Sequence, residues 1–322
     1  MNGALGRIRD AIAERRRFLL SSHARPDGDS IGSQLALAFA LRALGKQVRL
    51  VNRDAPPATF SVFPGVADIE VAPRVEGEFD AAIVLESSDL ARTGVEGIER
   101  AFLINIDHHP GNAGYGAVNW FDPGASACGE MVFALVQALG VTLSAEIATH
   151  LYLAILTDTG GFHFSNVTSR TFDICRQLVE AGADPAAVAR AAYDNYGLGR
   201  VRLLGRLLHA MELDPSGRLA LLYLDQEIAD AAGATADDTD GLVNVPLSVG
   251  QIEAVAFFRR IDSAHYRVSL RSKGTVDVGG VAERLGGGGH RNAAGCTVAG
   301  SYEAAKPIVT SLVLAALDRA RP

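Results

Sequence analysis

A chain of 322 residues, 48% of them hydrophobic and 21% charged, can bury a large core, and its length favours two domains over one. The net charge of −7 excludes a long, non-specific duplex-binding surface, which rests on many Lys/Arg contacts to phosphate, but leaves short oligonucleotides open. The charges from Arg7 to Arg17 exclude a signal peptide, no stretch approaches the ~20 apolar residues of a membrane span, and Cys128, Cys175 and Cys296 are too dispersed for a metal knuckle or disulfide framework, which together predict a cytoplasmic protein.

In chain order, RFLLSS (Arg17 to Ser22) predicts a short strand ending at His23. Ser30 then predicts the cap of an amphipathic helix, IGSQLALAFALRALG, that stops at Gly45. KQVRLVN, DAAIVLE and AFLINID read as further strands. Strands interleaved with helices predict an α/β fold with a mainly parallel sheet flanked by helices, in which ligands gather at the carboxyl ends of the strands. His23, Glu86 and Asp107 each stand at such an end. From about Ser126 to Ala192 the pattern is helical, and Asp158 ends the second of these helices before Thr159-Gly160-Gly161. RVRLLGRLLHAMEL (Arg200 to Leu213) predicts a connecting helix. After Pro215-Ser216-Gly217, antiparallel strands are expected in RLALLYLD, QIEAVAFFRR and HYRVSLRS, with helices near Val276 to Leu285 and Tyr302 to Arg319. Ala229 to Asp240 is an acidic, Ala-rich loop candidate. The expected division is a catalytic, metal-binding domain over 1–194, a helical linker over 195–214 and a smaller α/β substrate-binding domain over 215–322.

Four segments offer metal-binding side chains: His23, Asp27 and Asp29 in HARPDGDS, Glu86 in IVLESSD, Asp107-His108-His109 in NIDHH, and Asp158 in ILTDTGG. Alone, each also reads as a turn or helix cap; four together at strand ends predict a carboxylate/imidazole cluster for two divalent cations. That ligand mix, with no thiolate, favours Mn²⁺, with Mg²⁺, Zn²⁺ or Co²⁺ as alternatives. Toward the C-terminus, seven Lys/Arg against three acids between Arg259 and Arg291 make a local cationic excess. Within it, Arg271, Ser272 and Lys273 follow a strand and are candidates to grip a terminal phosphate. The glycine run before His290 would let backbone N–H groups approach one.

These residues resemble a known family. HARPDGDSIGS, IVLESSD, NIDHH and LTDTGGF look like the four motifs of the DHH phosphoesterases, and SLRSK with GGGGHRNAAG looks like the DHH-associated C-terminal domain. The resemblance covers nearly the whole chain and is nearest to the bacterial nano-RNase/pAp-phosphatase branch. It implies hydrolysis of very short single-stranded RNA to mononucleotides, and of pAp or linear dinucleotides, by two-metal activation of water. It implies that His23, Asp27 and the second-motif acid hold one metal, and that Asp29, the same acid, His108 and Asp158 hold the other. Asp107 would buttress the site, and His109 would face the scissile phosphate. Arg271, His290 and the backbone of Gly287, Gly288 and Gly289 would bind the substrate's terminal phosphate or base. One departure is that the second motif usually offers Asp where this chain has Glu86. Asp89 competes for the role, but Glu86 directly ends the strand and is expected to be the ligand.

Arg92 and Arg170 are weaker candidates for phosphate contact, and His163 for the site. His150 reads as packed or as a support behind the ligands, His209 and His265 as surface or linker residues, and Trp120 as core or inter-domain packing. Alternative readings are a RecJ-like single-strand exonuclease, a pyrophosphatase, or a catalytically weakened nucleotide-binding regulatory module. The sequence leaves open whether the chain forms a homodimer.

Overall fold

Four residues of low polarity after Arg17 make Arg17–Ser21 (β1) the centre of a parallel sheet, buried on both faces. The computed structural model describes residues 3–239 and 241–321. In it the chain divides into two units, one running up to Asn195 and the other from Tyr196 onward. In the first, β1 is joined by Gln47–Asn52 (β2), Ile69–Val71 (β3), Ala81–Leu85 (β4), Phe102–Asp107 (β5) and Val118–Phe121 (β6). The order is β3-β2-β1-β4-β5-β6, with every pairing parallel. The strand order therefore reverses between β1 and β4, the switch point at which open α/β sheets leave a crevice. The expected fold class is the one observed, although β3 and β6 are too short and too mixed in composition to have been read as strands.

Around the sheet pack Ala4–Ala13 (α1), Gly28–Ala43 (α2), Cys128–Ala138 (α3), Ala145–Asp158 (α4), Ser169–Glu180 (α5) and Pro185–Tyr193 (α6). α2 departs from expectation in two ways. Its cap is Asp27, whose Oδ1 accepts the Ser30 N–H at 2.9 Å, so the helix begins before Ser30. Nor is it amphipathic: nearly every residue from Gly28 to Leu41 is buried, because it is enclosed by other elements of the unit, α4 foremost. The crossing with α4 is close. A Cβ on Gly32 would lie 2.4 Å from the His150 carbonyl oxygen, and one on Gly28 would lie 2.5 Å from the Thr157 side chain. α3 meets α4 the same way, since a Cβ on Gly129 would lie 2.6 Å from that of Ala154.

The second unit holds Leu198–His209 (α7), Glu212–Leu213 (β7), Leu219–Leu224 (β8), Gln226–Ala232 (α8), Ala254–Arg260 (β9), His265–Ser272 (β10), Gly279–Arg284 (α9), Gly288–His290 (β11), Ala293–Ala299 (β12) and Tyr302–Arg319 (α10). Its sheet runs β11-β12-β10-β9-β8-β7. α9 and α10 share a core with one face, while α7 and α8 cover β8 and β9 on the other. Three expectations need correction. β8 and β9 are parallel, because the long crossover through α8 returns the chain in the same direction. The helix expected to reach Leu213 stops at His209, and Glu212–Leu213 pairs with β8 instead. Of the loop expected from Ala229, the first residues finish α8, and Asp240 lies outside the described residues. No helix among the described residues is long and apolar enough to cross a membrane.

Candidate metal centre

The carboxyl ends of β1, β4 and β5 deliver the predicted side chains to the switch-point crevice. His23 lies just beyond β1, and its Nδ1–H donates to the Ala24 carbonyl at 2.9 Å. That leaves Nε2 facing Ser30 Oγ at 2.7 Å and Asp27 Oδ2 at 3.8 Å. His108, just beyond β5, is fixed in the same manner: its Nδ1–H donates to the Ala125 carbonyl at 3.0 Å. Its Nε2 then stands 3.2 Å from Glu86 Oε1, 3.5 Å from Asp158 Oδ2 and 3.9 Å from Asp29 Oδ2. A ring nitrogen tied to a carbonyl on one side and aimed into carboxylates on the other is the usual posture of a metal-binding imidazole.

Glu86 follows β4 directly and adopts φ 58°, a left-handed conformation that is rare outside glycine. It nevertheless keeps its N–H bonded to the Ile106 carbonyl at 3.0 Å. Its side chain is buried, with Oε1 between His108 and His109, and Oε2 has no hydrogen-bond partner. Backbone strain and a buried polar atom without a partner at one residue point to a ligand. Asp89, the competing acid, is exposed and caps the short turn after it by accepting the Ala91 N–H at 2.8 Å.

Asp29 is held by the start of α3. The N–H groups of Cys128 and Gly129 donate to it at 2.6 and 3.0 Å, and Ser33 Oγ donates at 2.8 Å. Asp107 accepts from His109 Nδ1 at 2.9 Å and from Asn112 Nδ2 at 2.6 Å, so it orients His109. The close α2–α4 crossing brings Asp158, the last residue of α4, toward Asp29.

Two three-residue groups result, Asp29-His108-Asp158 and Glu86-His108-His109, each with its ligand atoms within 4.8 Å of one another. His23 and Asp27 pair with each other but join neither group. The charges are unbalanced. Burial pushes the Glu86 carboxyl well above the ordinary carboxylate range, with the Asp29 charge adding to it and His108 opposing. Burial and Asp29 push Asp158 up to about 8. Burial also raises Asp29, despite its three donors and the opposing charge of His108. For His108 burial disfavours the charged ring, yet Glu86, Asp29 and Asp158 outweigh it and raise the imidazole to about 11. Protons thus do what a divalent cation does in such a cluster, which is to balance carboxylates crowded in a buried site. The donor set fits a metal: hard oxygens, two oriented imidazoles and a buried carboxylate oxygen without a partner.

The segment from Ala125 to Gly129, which sequence reading passed over, holds His108 and Asp29 through its main chain. It is pinned by Glu130, a buried residue at the start of α3. Glu130 accepts from Ser126 Oγ and Thr171 Oγ1 at 2.6 Å each and from Arg170 Nε at 2.7 Å. Asn166 ties the Ser126 carbonyl, at 2.8 Å, to that of Asp158, at 3.2 Å. Only Asn112, soon after the paired histidines, had a local signal in the sequence. Arg170 is a correction, since Glu130 and Asp122 occupy it and it serves the scaffold instead of a phosphate. Glu130→Ala is expected to lower stability by about 3 kcal/mol, through the buried hydroxyls left without acceptors. It should also weaken metal binding about 10–100-fold. Thermal melts and Mn²⁺ titration check both, and unchanged metal affinity would reduce Glu130 to a purely structural residue.

His150 is buried, donates Nδ1–H to the Glu146 carbonyl at 2.7 Å and stacks on Phe39. His163, His209 and His265 are exposed. Trp120 packs on the first unit's core. Arg92 lies close to His23: its carbonyl accepts the Ala24 N–H at 2.7 Å while its guanidinium donates to Ser88 Oγ at 2.9 Å.

In the second unit, Arg271 and Ser272 end β10 and Lys273 follows. Ser272 is buried, donating to the Val276 carbonyl at 2.7 Å and accepting from Asn292 Nδ2 at 2.9 Å, so its hydroxyl is committed to the turn. Lys273 Nζ donates to the Val249 carbonyl at 2.8 Å. The end of the glycine run, Gly288–His290, forms the short edge strand β11. A Cβ on Gly287 would meet the Gly295 carbonyl oxygen at 2.2 Å and one on Gly289 the Ala293 oxygen at 2.6 Å, whereas Gly288 faces open space.

The DHH family N-terminal domain matches residues 17–155, and the DHHA1 domain matches 218–315. The chain belongs to the DHH phosphoesterase family. It is 34% identical to the bifunctional oligoribonuclease and PAP phosphatase NrnA of Thermus thermophilus, across 87% of this chain and 84% of the relative. It is 29% identical to the protein of that name in Bacillus subtilis, across 92% and 93%. A crystal structure of an exopolyphosphatase-related protein from Bacteroides fragilis superposes with a TM-score of 0.89 at 27% identity, covering 96% of this chain and 95% of that one.

Proposed function

We propose that this protein hydrolyses very short oligoribonucleotides to mononucleotides, and pAp to AMP, with two divalent cations, Mn²⁺ foremost and Mg²⁺ or Co²⁺ as alternatives. The observation that carries the reading is the gathering of Asp29, Glu86, Asp158 and an oriented His108 at the sheet's switch point, with the buried Glu86 Oε2 lacking a hydrogen-bond partner. The kinship with the two bacterial oligoribonuclease and PAP phosphatase relatives supports the substrate class. His23, Asp27 and Glu86 would hold one cation, and Asp29, Glu86, His108 and Asp158 the other. Divalent cations in such a site lower the pKa of a water and offset charge on the phosphoryl oxygens.

The chain's own groups do the rest. Asp107 accepts from His109 Nδ1–H and so fixes the ring, whose far nitrogen would face a phosphoryl oxygen as charge develops there. Glu86, without a hydrogen-bond partner on Oε2, would offer that buried carboxylate oxygen to a cation. Arg271, His290 and the backbone of Gly288 and Gly289 would grip the terminal phosphate or base, while Gly287, whose N–H donates to the Ala282 carbonyl at 2.8 Å, would hold that segment in place and Ser272 and Lys273 would brace the turn behind them. Three free, buried cysteines support a reducing, cytoplasmic setting.

The test is incubation with Mn²⁺ and 5′-labelled RNA from two to about two dozen nucleotides, alongside pAp. Rapid loss of only the shortest species and of pAp is expected. Processive decay of long strands would replace the reading with an exonuclease, and inertness would replace it with a binding module. Arg271→Ala should raise KM for dinucleotides about tenfold or more, the loss of one charge-assisted pair, while leaving bis-p-nitrophenyl phosphate nearly unchanged. Equal effects on both would remove Arg271 from the platform.

A further inference from the structure

The second unit carries a cationic cavity that the proposed platform does not use. Its volume is about 400 Å³, and it is lined by Thr275, Asp277, Arg284, Arg291 and Arg319 together with small residues of α9 and α10. The three arginines come from three separate elements: the last turn of α9, the turn between β11 and β12, and the last turn of α10. Among the described residues, none of these guanidinium groups has an ion-pair or hydrogen-bond partner. The one carboxylate in the lining, Asp277, is turned to the Gly280 N–H, which donates to it at 3.0 Å.

Two of the arginines suit the negative ends of their helices, but that does not account for Arg291, which sits on no helix. Three like charges converging on one concavity repel one another, and an anion between them removes that cost. The fork of a guanidinium matches phosphate oxygens, and a chain of net charge −7 that still collects three unpaired arginines here is selecting for anions. The site is also distinct in position. β10 alternates, so Leu270 and Ser272 face the core shared with α10 while Arg271 belongs to the opposite face. The cavity lies at the ends of α9 and α10, on the Leu270 side.

We propose that Arg284, Arg291 and Arg319 form a second phosphate-binding site, separate from the Arg271 to His290 platform, that takes the phosphate of a nucleotide or of an RNA strand. The test uses the full chain carrying Arg284→Ala and Arg319→Ala together, with circular dichroism to establish that the fold is kept. Binding of AMP and of a fluorescein-labelled pentaribonucleotide is measured in EDTA, where no hydrolysis occurs, and dinucleotide hydrolysis is measured separately with Mn²⁺. A fall of about tenfold in pentanucleotide affinity, with the salt dependence shallower by about one phosphate contact, places an RNA phosphate in the site. Selective loss of AMP binding places a free nucleotide there. Unchanged binding of both probes overturns the site, and an equal fall in dinucleotide hydrolysis overturns its separateness. Because binding is read without metal, an inert wild-type protein would count against the proposed hydrolysis alone.

Discussion

His108→Ala should abolish phosphoester hydrolysis, lowering kcat by on the order of 10³-fold or more even at saturating Mn²⁺, a loss of about 4 kcal/mol in transition-state stabilisation. The size follows from position. His108 is the residue common to both ligand groups, with Nε2 reaching Glu86, Asp29 and Asp158 within 3.9 Å. Its removal therefore strips a ligand and also leaves three carboxylates facing one another without the ring that separates them. The fold should survive, because the ring lies at the rim of the sheet and makes one main-chain hydrogen bond, to Ala125. Turnover, bound metal by mass spectrometry and the melting temperature are the three readouts. Unchanged turnover in the folded variant would refute the assignment.

Metal should govern stability in a pH-dependent way. In the metal-free protein Asp158 titrates near 8 instead of 3.8, pushed up by burial and by Asp29. His108 titrates near 11 instead of 6.5, where burial is outweighed by Glu86, Asp29 and Asp158. Both folded-state values lie above the unfolded ones, so the folded state holds more protons and loses stability as pH rises. Asp158 contributes that loss between about pH 4 and 8, and His108 between about 6.5 and 11. Mn²⁺ requires the same groups deprotonated and displaces the protons, so its stabilisation grows in the same direction. At 100 times its dissociation constant a bound ion contributes about 2.7 kcal/mol, which is several degrees of melting temperature. Melts at pH 6, 7 and 8.5 with EDTA or Mn²⁺ should show the metal-free curve falling and the gap widening. An increment that shrinks with pH, or no response to Mn²⁺, would contradict the charge balance inferred for the centre.

The parts of this protein that were legible in its sequence are those written locally. β1, β4 and β5 are continuous apolar runs ending in a chemically loaded residue, so the side chains at the sheet's carboxyl edge could be named before their distances were known. Position relative to the strand likewise separated Glu86 from Asp89, because the first residue past a buried strand is carried into the crevice and the fourth is free to cap a turn. What was not legible depends on partners distant in the chain. Asp27 and Ser30 are both acceptable helix caps, and only the path of the loop selects Asp27. Arg170 has no local reason to prefer Glu130 and Asp122 over a phosphate. The direction of β9 relative to β8 is set by where the crossover returns, which alternating burial does not encode. The glycine run was read as a place where backbone N–H groups approach a phosphate, but Gly287 and Gly289 are needed because β12 passes too close for a side chain.

The crossings of α2 and α3 with α4 carry a further meaning. With Gly28, Gly32 and Gly129 at these contacts, the helices meet with little side-chain cushion, and the main chain sets the span between Asp29 and Asp158. A carboxylate cage measured out by helix backbones is a stiff gauge, indifferent to rotamer changes. Ions would then be sorted by how well their radius suits a fixed aperture, and a single methyl group introduced at Gly32, one helical turn from Asp29 and against the His150 carbonyl, would reset that aperture.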